Sequence, residues 1–134
     1  MRDTTATGDI AEFQVAAALM RRGRRVLRPL SSASRYDLLI DNEDGTFVRV
    51  QCKSAVLRHG TLVFRVYSVS GHRTKGVPYG SEVDAFGVYS GATQTAYLVP
   101  VAAIPGHAVM VALRIDPARN GQRRRINLAA DYAI

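Results

Sequence analysis

Residues 36–54 of this 134-residue chain read YDLLIDNEDGTFVRVQCKS, and this stretch indicates the fold more strongly than any other. Apolar and polar side chains alternate over its first six residues and again over its last eight, which is typical of half-buried β-strands. A turn sequence rich in Asn, Asp and Gly separates the two segments. The alternation places Asp37 on one face of the first strand, and it puts Gln51 and Lys53 together on one face of the second.

The turn sets the register of this predicted hairpin, and two registers are compatible with its sequence. A two-residue turn at the Asp-Gly pair would place Asp37 opposite Cys52, facing away from Gln51. A three-residue loop over residues 43–45, with its glycine in the left-handed conformation, would place Asp37 opposite Gln51, and a β-bulge would have the same effect. Because a slip of one residue moves every side chain to the other face, the choice decides whether Asp37 and Gln51 can meet.

The remaining periodicities predict one helix and several further strands in a single domain that spans residues 1–134. We expect the helix over residues 9–22, with Asp9 as its N-cap and Glu12 completing a capping box. An apolar stripe along it consists of Ile10, Phe13, Ala17 and Met20. The helix face of Glu12 also carries Val15, Ala16 and Leu19. Further strands are expected at residues 25–30, 62–69, 85–90, 96–101 and 109–115, with a short helical end at 128–132. This order of elements predicts an α+β or compact α/β fold.

The charge balance points to a polyanionic partner. The chain has 18 Lys and Arg against 11 Asp and Glu, a formal net charge of +7. Nucleic acid is the first expectation and an anionic membrane surface the second, while a basic protein without such a partner is the plain alternative. We expect no membrane span and no secretion signal, because no run of about 18 apolar residues exists and the N-terminus is polar. The single cysteine excludes an internal disulfide and favours a cytoplasmic protein.

Asp37, Gln51 and Lys53, together with Glu12 upstream, are the residues that suit a common chemistry. A nuclease that uses a divalent metal needs hard oxygen ligands, which a carboxylate and an amide supply. The metal polarises the phosphate and lowers the pKa of a bound water, and a nearby cation stabilises the charge that develops. Each residue alone also fits a plainer role, as an edge-strand charge, a solvated strand face or a helix cap. Their ordered combination favours phosphodiester hydrolysis.

Three motifs resemble those of the PD-(D/E)XK nuclease superfamily. They are a Gly-x-x-x-Glu helix start (Gly8 and Glu12), Tyr-Asp-Leu-Leu-Ile-Asp at 36–41 and Val-Gln-Cys-Lys at 50–53. Together with residues 83–89 and 97–100, they are similar in particular to the group I intron-encoded homing endonuclease branch and to related small phage or bacterial endonucleases. The resemblance covers roughly residues 8–105. It implies a restriction-endonuclease-like core, with a four-stranded mixed β-sheet flanked by helices, that acts as a metal-dependent DNA endonuclease.

The resemblance also implies roles for the site residues. Asp37 would bind Mg²⁺ directly, with Mn²⁺ as a possible substitute, and Gln51 would ligate the ion through its side-chain oxygen. The family pattern implies the backbone carbonyl of Cys52 as a further ligand. Lys53 would orient or activate the attacking water and stabilise charge in the transition state, and Glu12 would support the metal or its water.

Two positions depart from the superfamily pattern. Tyr36 stands where proline usually precedes the first aspartate, and Gln51 stands where glutamate or aspartate is usual. Because an amide carries no charge, the site should hold Mg²⁺ more weakly than a site with two carboxylate ligands. Some members of the homing endonuclease branch resemble this chain in having glutamine there, so the change is compatible with activity.

Basic side chains outside the core site are candidates for contacts with DNA phosphates. The polar, basic loop over residues 70–81 is the best candidate segment to engage DNA. Since one small domain covers only a short stretch of duplex, we expect a homo-oligomer, either a dimer or a tetramer, with two active sites for two strands. The candidate DNA-binding residues are Arg35, Arg49, Arg58, Arg73, Lys75, Arg123, Arg124 and Arg125.

Alternative functions stay open at this stage. A structure-selective nuclease similar to a Holliday-junction resolvase would use the same core but read DNA shape. A catalytically silent DNA-binding module on the same fold is kept open by Gln51, and a basic structural protein would have no nucleic-acid role. The histidines at 59, 72 and 107 lack the mutual spacing of metal ligands. Cys52 is expected to be a small core residue and not a nucleophile.

Overall fold

The structure, a computed structural model, describes residues 4–66, 82–106, 108–116 and 128–134, and these contain one α-helix and seven strands. The helix is α1 (Thr4–Arg21), and the strands are β1 (Arg25–Leu27), β2 (Leu38–Asp41), β3 (Phe47–Arg58), β4 (Thr61–Arg65), β5 (Ala85–Ser90), β6 (Thr95–Pro100) and β7 (Met110–Arg114). Short 3₁₀ turns lie at Val101–Ala103 and Ala129–Tyr132. The predicted loop at 70–81 lies outside the described residues. No described helix is both long enough and apolar enough to cross a membrane.

β3 is the central strand, and it takes part in two sheets. Its first half pairs antiparallel with β2 and parallel with β5, within a main sheet of order β1-β2-β3-β5-β6. Its second half extends beyond the predicted strand to Arg58 and pairs antiparallel with β4, which in turn pairs with β7. The parallel contact between β3 and β5 makes the sheet mixed, so the predicted α+β class with a mixed sheet is confirmed.

Two hydrophobic cores lie on opposite faces of the main sheet. α1 packs over one face and encloses a core that contains Leu19 and Val50. Strands β4 and β7 cover the other face. In the core that they enclose, the rings of Phe64 and Phe86 pack with their centroids 6.1 Å apart. Each fully enclosed side chain of this size contributes about 1.5–3 kcal/mol to folding. A helix therefore covers one flank of the sheet, and in the described part of the chain strands cover the other.

α1 begins at least five residues before its predicted start at Asp9, which corrects the sequence-based helix boundary. Asp9 lies inside the helix, so the predicted capping box between Asp9 and Glu12 is wrong. Gly8 does not prevent the longer helix, because an interior glycine costs only about 1 kcal/mol relative to alanine. Glu12 consequently sits in the body of α1, where no capping role competes with a role in a site.

The apolar stripe of α1 faces away from the sheet. Ile10, Phe13 and Met20 are 51%, 60% and 62% exposed. The buried face next to Glu12 consists of Ala11, Val15, Ala18 and Leu19. Small side chains suit this face because the helix lies very close to β5: a Cβ atom on Gly87 would lie 2.6 Å from Cγ1 of Val15. Because α1 lies so close to β5, the helix buries its face with small residues and leaves its stripe of large apolar residues exposed.

The hairpin of β2 and β3 adopts the register of the three-residue loop. Leu38 pairs with Val50, and Asp37, which directly precedes β2, donates its N–H to the carbonyl of the same Val50 at 2.8 Å. The connecting loop accordingly contains three residues, 43–45, and its glycine has φ of 93°, in the left-handed region as the second of the two predicted registers requires. The first residue of the loop also has a positive φ, 63°, which the sequence analysis did not anticipate.

Candidate active site

Asp37 directly precedes β2 and is held against β3 by both its backbone and its side chain. Its N–H donates to the carbonyl of Val50 at 2.8 Å, and its Oδ2 atom accepts the N–H of Cys52 at 2.8 Å. A carboxylate that accepts a backbone N–H makes a short, charge-assisted bond that restricts its orientation. Asp37 is therefore a fixed, half-buried group at the sheet and not a solvated edge charge.

Gln51 and Lys53 share one face of β3. On the alternate face, Val50 and Cys52 pack with the core beneath α1. Since side chains alternate along a strand, positions 51 and 53 project away from that core. The Lys53 ammonium is close enough to Asp37 to lower the pKa of that carboxyl. The structure thus places Lys53 near Asp37, and Gln51 lies two residues before Lys53 on the same face of β3.

The carboxylates of Asp37 and Glu12 occupy a partly desolvated environment. Burial is the largest influence on the pKa of Asp37 and raises it, while the Cys52 N–H, Lys53 and Arg28 lower it in part. Burial likewise raises the pKa of Glu12, the neighbouring Asp37 raises it further, and Arg28 opposes both effects. Two carboxylates close enough to repel each other favour a cation between them.

Glu12 approaches the site from α1 and forms an ion pair with Arg28. The Arg28 Nη2 atom lies 2.9 Å from Oε1 of Glu12, whose side chain is 21% exposed. Together with Asp37, both residues line a cleft of about 140 Å³. Glu12 therefore lies beside Asp37 while it belongs to α1. This position is compatible with the second of the two roles considered for it, support of the site, and not with the first, helix capping.

The donor set fits a hard divalent cation with few protein ligands. Asp37 and Glu12 supply two neighbouring carboxylates, and Gln51 on the adjacent strand β3 carries an amide oxygen. Across the described segments, no group of three or more His, Cys, Asp and Glu side chains forms a metal cluster. Mg²⁺ suits this arrangement, because it prefers oxygen ligands and keeps several waters, whereas a zinc site would need nitrogen or sulfur ligands.

The thiol of Cys52 is not a reactive group. Its side chain packs against the core beneath α1. Burial first, and then the negative charges of Asp37 and Glu12, raise the pKa of the thiol well above its ordinary range. A thiol in such surroundings stays protonated, and only the thiolate is nucleophilic. The prediction that Cys52 is a small core residue agrees with this environment.

Two of the arginines predicted to bind DNA form ion pairs with acidic residues. Arg35 forms an ion pair with Glu82. Arg49 forms a bidentate ion pair with Asp84, with Nε–Oδ2 and Nη2–Oδ1 distances of 3.0 and 3.1 Å. Asp84 Oδ2 also accepts the backbone N–H of Arg49 at 2.8 Å. Arg58 is exposed at the end of β3. The other candidates lie outside the described residues: Arg73, Lys75, Arg123, Arg124 and Arg125.

Arg28 and the serines of residues 31–34 are residues of the cleft that the sequence did not single out. Arg28 follows β1. It is one of 18 Lys and Arg residues, and nothing in the sequence around it distinguishes it from the others as a site residue. Ser31, Ser32 and Ser34 line the cleft together with Arg28 and Asp37. Their signal in the sequence was the concentration of three serines in four positions just before Asp37. The cleft itself depends on tertiary contacts that no local pattern contains.

Comparisons with known proteins place this geometry in a family. The architecture matches that of a solved bacterial homing endonuclease, I-Ssp6803I, with a TM-score of 0.71 and 24% identity over 99% of this chain and 88% of that chain. This likeness confirms the restriction-endonuclease-like fold. No curated protein matched. A family model described as PD-(D/E)XK endonuclease matches residues 2–134, and nucleases of this kind typically use divalent metal ions. The chain therefore belongs to the PD-(D/E)XK endonuclease family.

Proposed function

We propose that this chain is a Mg²⁺-dependent DNA endonuclease of the homing endonuclease type, built as one domain over residues 1–134. The observation that supports the proposal is the position of Asp37, whose carboxylate accepts the Cys52 N–H of β3 and lies close to both Lys53 and Glu12. Mn²⁺ would substitute for Mg²⁺, since it accepts similar oxygen ligands. The substrate is the phosphodiester backbone of DNA, and hydrolysis is the reaction.

Asp37 and Gln51 are the proposed ligands of the ion. Asp37 offers a carboxylate whose orientation is restricted by the Cys52 N–H, and Gln51 offers its side-chain oxygen. The backbone carbonyl of Cys52 is a third proposed ligand. A bound divalent ion would neutralise charge on the scissile phosphate and lower the pKa of a coordinated water.

Lys53 and Glu12 have supporting roles in the proposed reaction. The Lys53 ammonium would donate a hydrogen bond to the attacking water and stabilise negative charge on the phosphate in the transition state. Glu12 would accept a hydrogen bond from the metal's water and keep it oriented, consistent with its position on α1 beside Asp37. The core beneath α1 closes one side of the site, which strengthens these electrostatic interactions.

The net charge of +7 supports DNA as the partner. Arg35, Arg49 and Arg58 are proposed phosphate contacts from the described part of the chain, and the first two would exchange their acidic partners for phosphates. Because two strands must be cut, we propose a homo-oligomer, a dimer or a tetramer, in which each active site serves one strand. The cytoplasm is the proposed compartment.

A specific observation also favours a second candidate, a DNA-binding module without catalysis on the same fold. Gln51 stands in place of a charged ligand, so the site offers the ion one negative charge fewer than two carboxylates at these positions would. A structure-selective nuclease similar to a Holliday-junction resolvase is the nearest enzymatic alternative, because it would use the same residues.

Cleavage of supercoiled plasmid in Mg²⁺ and in Mn²⁺ tests the proposal. We expect wild type to nick and linearise the plasmid, and Asp37→Asn and Lys53→Ala to lose at least about 100-fold in rate while retaining DNA binding. Asp41→Asn is the matched control, because Asp41 is also an aspartate of this hairpin but lies four residues away at the far end of β2, and it should cut like wild type. Binding without cleavage by wild type would indicate the silent module, and preferential cutting of four-way junctions would indicate the resolvase.

A further inference from the structure

The cleft beside Asp37 contains a group of hydrogen-bond donors to which the proposed hydrolysis assigns no role. Its volume of about 140 Å³ has room for roughly four to five water molecules at ~30 Å³ each, and so for the oxygens of a phosphate group. Beside the carboxylates of Glu12 and Asp37, the side chains that line it include the donors Arg28, Ser31, Ser32, Ser34 and Tyr36. They come from the segment between β1 and β2, in which Arg28 belongs to the strand predicted over residues 25–30.

Arg28 is positioned at this cleft by two contacts. Its Nη2 atom lies 2.9 Å from the Glu12 carboxylate, and its guanidinium lies over the ring of Phe13 at 5.4 Å from the centroid. The side chain is nevertheless 60% exposed, so part of the donor fork faces solvent. An arginine held in place in this way loses little conformational entropy when it binds a phosphate in a bidentate geometry.

The serine segment adds neutral donors beside this cation. The Oγ atom of Ser31 accepts the N–H of Ala33 at 3.1 Å, which shapes the turn and leaves the hydroxyl proton available for another acceptor. Ser34 is half-buried and Ser32 is exposed at the cleft. A site that combines one guanidinium with several hydroxyls matches the acceptor-only oxygens of a phosphodiester.

We infer that Arg28 and the serines of residues 31–34 form a binding site for a DNA backbone phosphate next to the scissile one. The inference rests on the proposed nuclease function. Lys53 lies on the face of β3 away from α1, whereas Arg28 pairs with Glu12 of α1, and both cations are close enough to Asp37 to lower the pKa of its carboxyl. The scissile phosphate occupies the Lys53 side, and its neighbour along the strand occupies the Arg28 side.

The test is the salt dependence of DNA binding, which counts phosphate contacts. A fluorescein-labelled 20-base-pair duplex is titrated in EDTA, so that no strand is cut, over a series of KCl concentrations. Arg28→Gln should weaken binding about tenfold and reduce the slope of log affinity against log salt by about 0.9, the value for one phosphate contact on B-DNA. Ser34→Ala should weaken binding about threefold without changing the slope, since a neutral donor releases no counterion.

Arg25→Gln is a matched control for Arg28→Gln. Arg25 also forms an ion pair at 2.9 Å, with Glu43, and its side chain is 64% exposed. It lies opposite Asp41 on β1, roughly 13 Å along β2 from Asp37. This variant removes the same charge and should leave the slope unchanged. Arg28→Lys should restore the slope but not the full affinity, because an ammonium lacks the fork, and it serves as the second variant if Arg28→Gln folds poorly.

The outcomes separate this inference from the proposed function. If wild type cuts plasmid while Arg28→Gln and Arg25→Gln show equal affinities and slopes, the phosphate site is refuted and the nuclease remains. If wild type neither binds the duplex nor cuts plasmid, the proposed function fails and the phosphate site fails with it. A reduced slope in Arg28→Gln alone, with an unchanged melting temperature, supports the site.

Discussion

At the scale of single residues, the ionised carboxylate of Asp37 is unfavourable for folding, although it suits the metal-binding role proposed for it. Burial raises its pKa, so the folded chain favours the protonated acid more than the unfolded chain does. Below ~3.9, the ordinary pKa of an aspartate carboxyl, Asp37 is protonated in both the folded and the unfolded chain, and its effect on stability vanishes. As the pH rises above that value, the unfolded chain ionises first and stability falls until Asp37 ionises in the fold. The loss then persists at neutral pH.

We expect Asp37→Asn to stabilise the protein against urea at pH 7 in EDTA, with the gain shrinking as the pH falls towards 4. The amide oxygen can still accept the Cys52 N–H, so the main change is the lost charge. Urea midpoints at several pH values measure the effect. An unchanged or lowered midpoint at pH 7 would contradict the desolvated carboxylate.

Asp84→Asn should behave in the opposite sense and is the internal reference. The hydrogen bond from the Arg49 guanidinium is the main cause that lowers the pKa of Asp84, so its stabilising contribution is present at neutral pH and is lost as the pH falls through the lowered value. We expect a loss of about 1 kcal/mol at pH 7, kept small because the pair is half exposed. The same urea series measures it, and equal stability of wild type and variant at pH 7 would show that the pair contributes nothing.

Gln51 is the position at which the metal requirement can be changed. We expect Gln51→Glu to lower the Mg²⁺ concentration for half-maximal cleavage by roughly tenfold, because it adds a negative charge beside the ion. Gln51→Ala should raise it, since the oxygen ligand is lost. Rates measured over a Mg²⁺ series decide the point, and identical Mg²⁺ curves for all three proteins would mean that residue 51 does not face the ion.

Most of the residues in the proposed site could be singled out from the sequence. Asp37, Gln51 and Lys53 stand out because strand alternation and the turn limit their arrangement to two registers. The sequence did not choose between those registers, since both turn types accept Asp-Gly. Arg28 was not predictable, because its importance comes from the position of Glu12 on a helix that approaches from elsewhere in the chain.

At the scale of elements, the packing of α1 on β5 decides which helix face is buried. The sequence predicted the helix but neither its start nor the orientation of its large apolar stripe. The start was not predictable because Gly8 disfavours a helix only weakly. The helix therefore continues through it, and Asp9, the expected N-cap, becomes an interior residue. The orientation was not predictable because the close approach of α1 to β5 at Gly87 favours small residues on the buried helix face. The residue pattern of the helix does not reveal that the strand facing it carries a glycine at that point.

We expect Gly87→Ala to destabilise the protein by about 1–3 kcal/mol through overpacking. The added Cβ would lie 2.6 Å from Cγ1 of Val15 and 3.0 Å from Cγ1 of Val50. Denaturant unfolding measures the change. Gly91→Ala is the control, because a Cβ there has no neighbour within 4 Å. In the double variant Gly87→Ala/Val15→Ala the loss should be smaller than the sum of the single losses, and strict additivity would contradict the contact.

At the scale of the whole molecule, composition and element order predicted the α+β class, and the two-sheet arrangement was not predictable. Alternation identifies each strand but does not say that β3 leaves the main sheet halfway along and pairs with β4. That change depends on long-range contacts between β4, β7 and the far face of the main sheet. Net charge likewise suggested a polyanion without locating the surface that binds it.

Sedimentation of the full chain tests the proposed assembly. We expect a mass of two or four chains at micromolar concentration, because a domain of this size needs a second copy to serve both strands of a duplex. The experiment is run in moderate salt without DNA. A mass of one chain over the whole concentration range would contradict a stable oligomer.

The central claim is that one divalent ion binds between Asp37 and Gln51. A crystal of the protein grown with Mn²⁺ and a DNA duplex, measured at the manganese absorption edge, tests this claim directly. We expect an anomalous peak within about 2.5 Å of an Asp37 carboxylate oxygen and of the Gln51 side-chain oxygen. A peak elsewhere, with the Gln51 side chain turned away from Asp37, would contradict the account.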